Sequence, residues 1–315
     1  MDGKNILITG GSGSFGKAFI KFALENYKPK RLIVFSRDEY KQYKLQQQYD
    51  APCMRYFIGD VRDKSRLMLA MKGVTWVIHA AALKHVPTGE KEPFEAVKTN
   101  VVGAENVIEA ARENGVHKVM ALSTDKAVNP VNHYGATKRC AETSFLAANN
   151  YPGTVYSICR YGNVAGSRGS VIPFFREKAA KKEPLPITST KMTRFFIKIE
   201  DAVKFVADRL EHMHGKEIFV PKTAGMRILD LANAIGGNQV IVGIRPGEKL
   251  NETLISPEET YRVWNSGDFF TLTDPEHKGP YPLQLGQQLS PGFHYTSAST
   301  TRLTGKEIEV FINDL

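Results

Sequence analysis

Four side chains stand out for what they could do together. Tyr134 and Lys138, in Tyr134-Gly135-Ala136-Thr137-Lys138, lie four residues apart and so share one helix face. A lysine beside a phenol, with an oxidised nicotinamide nearby, favours the phenolate. A phenolate can take an alcohol proton while hydride leaves the same carbon. Asp125 and Lys126 follow the apolar run 119–123. They offer an acid and a base, but lysine is a base only when burial or nearby cations lower its pKa, which Lys138 and a nicotinamide would do. Ser123 and Thr124, at the end of that run, are placed to hydrogen-bond the Tyr134 hydroxyl. Alone, each pair also has a plainer reading: a surface pair on a helix, and a turn before Pro130.

The case for chemistry rests on a glycine-rich turn upstream. Thr9-Gly10-Gly11-Ser12-Gly13-Ser14-Phe15-Gly16 follows a short apolar strand and opens a helix. Glycines 10, 13 and 16 suit a tight turn, close approach to a pyrophosphate, and helix–sheet packing. The helix start then presents unpaired N–H groups to phosphate, with Ser14 and Phe15 in the same turn. At the end of the second strand stand Ser36, Arg37 and Lys41, which suit a ribose 2′-phosphate and point to NADP. Asp38 leaves an NAD reading open. Asp60 and Val61 end the third strand, where Asp60 meets an adenine amino group or caps a helix. Ala80 and Ala81 end the fourth, beside the nicotinamide half of such a site.

The elements that must position these residues alternate. Strand-like runs fall at 6–8, 32–35, 56–58, 74–82, 119–123 and 155–160. Helical spacing appears at 17–26, 101–113, 134–149 and 200–213. The pattern predicts an α/β fold, a Rossmann-type doubly wound parallel sheet, with a smaller C-terminal substrate-binding lobe. We divide the chain into a dinucleotide-binding domain at 1–165, rejoined by a returning segment near 195–222, and a lobe at 166–315. The proline-rich second half lies over the carboxyl ends of the strands, where open α/β sheets bind ligands. The last forty residues are the least readable.

Composition narrows the function. The chain has 315 residues and a formal net charge of +9. The basic residues are dispersed, with no nucleic-acid-binding motif, and fit a solvated surface plus phosphate-bearing ligands. Three separated cysteines and eight scattered histidines match no disulfide or metal pattern, so no metal is expected. No apolar run is long enough to span a membrane, and no signal-peptide pattern opens the chain, so the expected location is cytoplasmic.

Thr9–Gly16, Ser123/Thr124 and Tyr134/Lys138 together resemble the extended short-chain dehydrogenase/reductase superfamily. Ala81-Ala82-Leu83-Lys84-His85-Val86-Pro87, Leu122-Ser123-Thr124-Asp125-Lys126-Ala127, Arg160-Tyr161-Gly162-Asn163-Val164, Gly166-Ser167-Arg168-Gly169-Ser170-Val171-Ile172-Pro173, Met192-Thr193-Arg194-Phe195 and Arg245-Pro246-Gly247-Glu248-Lys249 resemble, within it, the UDP-N-acetylglucosamine 4,6-dehydratases. The likeness runs to about residue 256 and is greatest to the C5-inverting enzymes of pseudaminic acid synthesis. It implies oxidation at C4, with Lys126 as base at C5, Asp125 as acid at C6, and Tyr134/Lys138 at C4. Around them it places Lys84 at the cofactor and sugar, and His85, Thr124 and Asn163 at the sugar. Arg168, Arg194 and Arg245 fall at the diphosphate, Glu248 at the uridine ribose, and Ile187 at the uracil. The implied partners are UDP-N-acetylglucosamine and further copies of the chain, as a dimer or higher, up to a hexamer. A C5-retaining dehydratase, a UDP-sugar 4-epimerase and a non-catalytic NADP sensor on the same fold remain the alternatives.

Overall fold

The computed structural model describes residues 1–167, 169–274, 276 and 285–315. Strands run in chain order as β1 (Asn5–Thr9), β2 (Arg31–Ser36), β3 (Met54–Ile58), β4 (Trp76–His79), β5 (Lys118–Thr124), β6 (Val155–Tyr161), β7 (Asn163–Val164), β8 (Leu185–Ile187), β9 (Thr193–Ile197), β10 (Ile218–Pro221), β11 (Gly225–Arg227), β12 (Gln239–Ile241), β13 (Thr253–Ile255), β14 (Val263–Asn265), β15 (Phe269–Leu272), β16 (Gln287–Gln288) and β17 (Tyr295–Thr296). The helices are α1 (Ser14–Asn26), α2 (Glu39–Gln48), α3 (Lys64–Ala70), α4 (Val86–Lys91), α5 (Pro93–Val97), α6 (Gly103–Glu113), α7 (His133–Ala147), α8 (Val171–Ala180), α9 (Ile199–His212), α10 (Ile228–Ile235) and α11 (Gly305–Asn313).

The main sheet has the order β16-β14-β15-β10-β6-β5-β4-β1-β2-β3. From β3 to β10 all pairs are parallel. This is the expected doubly wound sheet, and its order reverses between β1 and β4, the crevice where such sheets bind ligands. Side chains alternate across it. Leu7, Ile33, Val77 and Val119 face a core shared with α3, α6 and α7. Ile6, Ile8, Leu32, Val34 and Ile78 face a core shared with α1 and α9. Burial on both faces explains why these strands read as continuous apolar runs.

Two features differ from the sequence pattern. The apolar run 74–82 forms a strand only over Trp76–His79. Beyond it the chain is taken up by side chains: Ala81 N donates to Thr9 Oγ1 (3.2 Å), and the Leu83 N–H and C=O both bond the Asn100 amide (2.8 and 2.9 Å). Residues 80–85 therefore become a wall instead of a strand. The second difference concerns the two-part division. The chain returns to the large sheet through α9 and β10, and then again through β14, β15 and β16, which pair antiparallel beyond β10. Open backbone groups on the outer edge of β10 are satisfied by this late segment.

The rest of the second half forms a small lobe. It holds the sheet β11-β9-β7, the pair β12-β8, and helices α8, α10 and α11, whereas the pair β13-β17 packs into the core of the main sheet. Among the described residues no helix is long and apolar enough to cross a membrane.

Candidate active site

A cleft of about 800 Å³ opens over the carboxyl ends of β1, β2, β4, β5 and β6. Its floor is the glycine turn. Gly10 has φ of +69°, and a Cβ there would lie 2.9 Å from Ala81 N, so only glycine brings the turn this near the wall after β4. At Gly16 a Cβ would collide with the Gly11 backbone. Helix α1 begins after Gly13 with no side-chain cap and no acid in its first turn. Its N-terminal residues line the cleft, where the start of a helix favours an anion. A dinucleotide pyrophosphate fits this cradle.

The ribose end is more selective. Ser36, Arg37 and Lys41 all line the cleft. Asp38 caps α2 by accepting from Lys41 N (2.9 Å) and also pairs with Lys41 Nζ, so this acid is spent on the helix start. Ser36 Oγ accepts from Gln42 Nε2 (2.9 Å). The Arg37 side chain is 62% exposed, 3.7 Å from Asp60. Asp60 also lines the cleft and accepts from Arg62 N and Nε (3.0 and 2.9 Å). Burial pushes its carboxyl up, but the Arg62 bonds and charge outweigh that and hold it low. Helix α3 is capped by Asp63 instead. Val61, Ala80, Ala81, Lys84 and His85 complete this part of the lining, and His85 Nδ1 lies 2.7 Å from Thr88 Oγ1 at the start of α4.

Tyr134 and Lys138 reach the cleft from the first turns of α7, which is capped by Asn132 through Gly135 N (2.8 Å). A Cβ at Gly135 would collide with the Lys126 carbonyl. Glycine thus lets α7 settle directly on the turn at Asp125–Ala127 and brings Tyr134 and Lys138 close to Asp125 and Lys126. Tyr134 is 8% exposed, and burial pushes its phenol up to about 12. The Lys126 charge and the Thr124 hydroxyl pull it down, against Asp125. Lys138 Nζ donates to Leu122 O (2.7 Å); burial draws it down to about 8, with Glu142 opposing. In this arrangement the cation acting on the phenol is Lys126.

Lys126 is a correction to the sequence reading. Its Nζ lies 3.0 Å from Asp125 Oδ1, 3.2 Å from Asn163 Oδ1 and 3.4 Å from Glu252 Oε1. Burial alone would lower its pKa, yet the two carboxylates outweigh burial and raise it. A lowered value was expected because Glu252, far downstream, was not foreseen beside it. Asp125 is fully buried, with Oδ1 taken by Lys126 and Thr124 and Oδ2 lacking a hydrogen-bond partner among the described residues. Thr124, Lys126 and Asn163 line the cleft.

The other residues expected at the nucleotide stand outside the lining of this cleft. Arg194 is 8% exposed and donates to three carbonyls, Thr193 O, Leu250 O and Lys249 O (2.7, 3.2 and 2.9 Å). Ile187 is fully buried in the core of the small lobe. Arg245 is 65% exposed and pairs with Glu248 (2.6 Å) on a turn outside the cleft lining. Arg168 lies outside the described residues.

With this geometry in view, comparison with known proteins is informative. Residues 6–274 match the family described as polysaccharide biosynthesis protein. The chain belongs to that family. As a polysaccharide biosynthesis protein it is 50% identical to a UDP-N-acetylglucosamine 4,6-dehydratase (inverting) of Campylobacter jejuni, over 99% of this chain and 98% of the relative. It is 40% identical to a UDP-glucose 4-epimerase of Rickettsia bellii, over 99% of this chain and 96% of the relative. Among solved structures it superposes on Pen from Bacillus thuringiensis with a TM-score of 0.91, at 33% identity, covering 100% of this chain and 99% of the other.

Two site residues of this polysaccharide biosynthesis protein escaped sequence reasoning. Asn100 sits in a π-helical turn, Lys98–Val102, and its amide joins Leu83 to Thr137 Oγ1 (3.0 Å), fixing the wall at 80–85 against α7. A buried amide interrupting an apolar helical pattern was the available signal. Glu252 carries no local signal, since only the tertiary fold brings it to Lys126.

Proposed function

We propose that this chain is a UDP-N-acetylglucosamine 4,6-dehydratase that inverts C5, giving a UDP-2-acetamido-2,6-dideoxy-4-keto-hexose for polysaccharide building blocks. The observation that carries this reading is the packing of Tyr134 against the Asp125–Lys126 turn at one cleft. A 4-epimerase needs only the first; loss of water across C5 and C6 needs an acid and a base as well. The name of the Campylobacter relative supports the same choice over the epimerase name of the Rickettsia relative, at 50% against 40% identity.

The first turn of α1 holds the pyrophosphate of a nicotinamide dinucleotide, and Asp60 and Val61 meet its adenine. Ser36, Arg37 and Lys41, with Asp38 turned to its helix, favour the 2′-phosphate and so NADP. The bound cofactor supplies the acceptor of hydride from C4 and its donor to C6. Tyr134 takes the C4 hydroxyl proton, and Thr124 and Lys126 lower the cost of the phenolate. Lys138 fixes the wall through Leu122 O and orients the ribose. Transfer of a proton from Lys126 Nζ to Asp125 Oδ1, 3.0 Å away, leaves the amine free to take the C5 proton, with Asn163 holding its Nζ. Asp125, protonated in that transfer, passes the proton to the departing C6 hydroxyl. Lys84 and His85 bound the sugar. The lobe around β9, α8 and α10 receives the UDP. Of the described arginines expected at the diphosphate, Arg245 is the one that reaches a ligand without giving up backbone bonds. The protein works as a homo-oligomer.

Incubation with UDP-N-acetylglucosamine in deuterated water tests this reading. The product should have lost one water, carry deuterium at C5, and show the inverted configuration by NMR. Epimerised sugar without water loss would refute it.

A further inference from the structure

Glu252 is 3% exposed and stands just before β13, which packs into the core of the main sheet, outside the cleft lining. One carboxylate oxygen, Oε1, faces two cations: Lys126 Nζ at 3.4 Å and Arg194 Nε at 3.7 Å. The other, Oε2, is buried without a hydrogen-bond partner among the described residues. Its backbone is pinned on both sides to Ser297: Glu252 N donates to Ser297 Oγ (3.0 Å), and Ser297 N to Glu252 O (2.9 Å). Arg194 is itself fixed by its three carbonyl bonds. A buried acid held this firmly, with half its bonding capacity unused, is expensive unless it serves the cations beside it.

We propose that Glu252 is a positioning residue for Lys126: clamped by Arg194, it holds the Lys126 amine at the cleft wall and sets the pH at which that amine is free to take the C5 proton. The inference rests on the dehydratase reading and deepens it. Every charged group facing Lys126 enters the balance. Asp125 from the turn after β5 and Glu252 from the segment before β13 favour the ammonium, whereas Arg194 from β9 opposes it. Lys249 also lies within range of this cluster, its own Nζ donating to Val128 O (2.6 Å). Tyr134 faces Lys126 from α7. Asp125 takes up and passes on a proton during the C6 step, whereas Glu252 keeps its place beside Lys126. Segments far apart in the chain thus share control of one base: the turn after β5 carries Lys126, and the residues before β13 set its charge.

The test is the pH dependence of deuterium entry at C5 of UDP-N-acetylglucosamine. In Glu252→Gln the ammonium loses one opposing charge, so neutral amine appears at lower pH. The rising limb should move down by about 1–3 pH units, with the high-pH plateau retained. Glu252→Asp keeps the charge but draws it back by one methylene, so its limb should fall between the two. A uniform loss at every pH with the limb unmoved would show Glu252 to be merely structural and overturns the proposal. If Glu252→Gln does not fold, Glu252→Asp decides alone: a smaller downward shift supports the proposal, and no shift overturns it. Wild-type enzyme that exchanges nothing at C5 brings down the dehydratase reading and this inference with it, before any variant is made.

Discussion

Arg160→Met removes one cation from the most heavily bonded buried network in view. Arg160, at the end of β6, is fully buried. Its guanidinium donates to Glu142 (2.9 and 2.7 Å), to Glu259 (3.0 and 3.0 Å) and to Leu254 O (3.0 Å). These bonds tie α7, one turn past Lys138, to the segment after β13. Methionine of similar reach leaves Glu142 buried beside Glu259 with their main counter-charge gone. Breaking a buried pair from one side costs about 3–5 kcal/mol, so the melting temperature should fall by roughly 5–15 °C. The pH dependence has a definite sign. Burial pushes the Glu142 carboxyl up, but Arg160 outweighs it and holds it low. A lowered folded pKa stabilises above the unfolded carboxyl value, and that contribution is lost as pH falls through the folded value. The variant lacks it, so the deficit should be widest near neutral pH and narrow in acid. Thermal melts at neutral and mildly acidic pH measure both. Adding Glu142→Gln and Glu259→Gln to Arg160→Met should restore a large part of the loss. A single variant within about 1 kcal/mol of wild type, against the expected 3–5, refutes the reasoning, as does a triple variant no better than the single.

Tyr134→Phe should abolish reduced-cofactor absorbance on mixing with UDP-N-acetylglucosamine, a loss of about 10²–10⁴ in rate. Lys126→Ala should reduce the cofactor more slowly, having lost the cation beside the phenol, and then stall at the 4-keto sugar with no deuterium entering C5; exchange at the wild-type rate would remove Lys126 from its role. Arg37→Ala should weaken NADP more than NAD by about 1.5–3 kcal/mol in titration, and a wild type that prefers NAD contradicts the assignment. Arg245→Ala should raise the KM for the UDP-sugar while leaving cofactor affinity unchanged, and an unchanged KM removes it from the diphosphate.

The legible part of the molecule was the part built from local pattern. The glycine turn, the alternation through β6 and the helical spacing of Tyr134 and Lys138 are short-range signals, and the structure sets them around one cleft. Long-range pairings were not legible. Nothing in residues 263–272 announces that β14 and β15 extend the sheet, because antiparallel strands of three or four residues carry almost no periodicity. Arg194 and Ile187 read as ligand contacts because residue type shows what a side chain can bond, not which backbone carbonyls or core it meets. The same limit hid Glu252, and with it the sign of the Lys126 shift.

The late return of the chain to its main sheet also shapes how the protein is made. Strand β10 pairs with β6 on one side and with β15 on the other. When β10 leaves the ribosome, its partner β15 does not yet exist. At about 5–20 residues per second, the intervening segment takes roughly 3–10 seconds to synthesise. For that interval Ile218, Phe219 and Val220 present an apolar strand with one side open, the kind of edge onto which a neighbouring nascent chain adds. Pro221, which has no N–H to offer, shortens that edge by one donor. On polysomes, then, the half of the protein that binds the cofactor is finished only by a segment translated long after it, and a message cut short before Leu272 yields a sticky sheet.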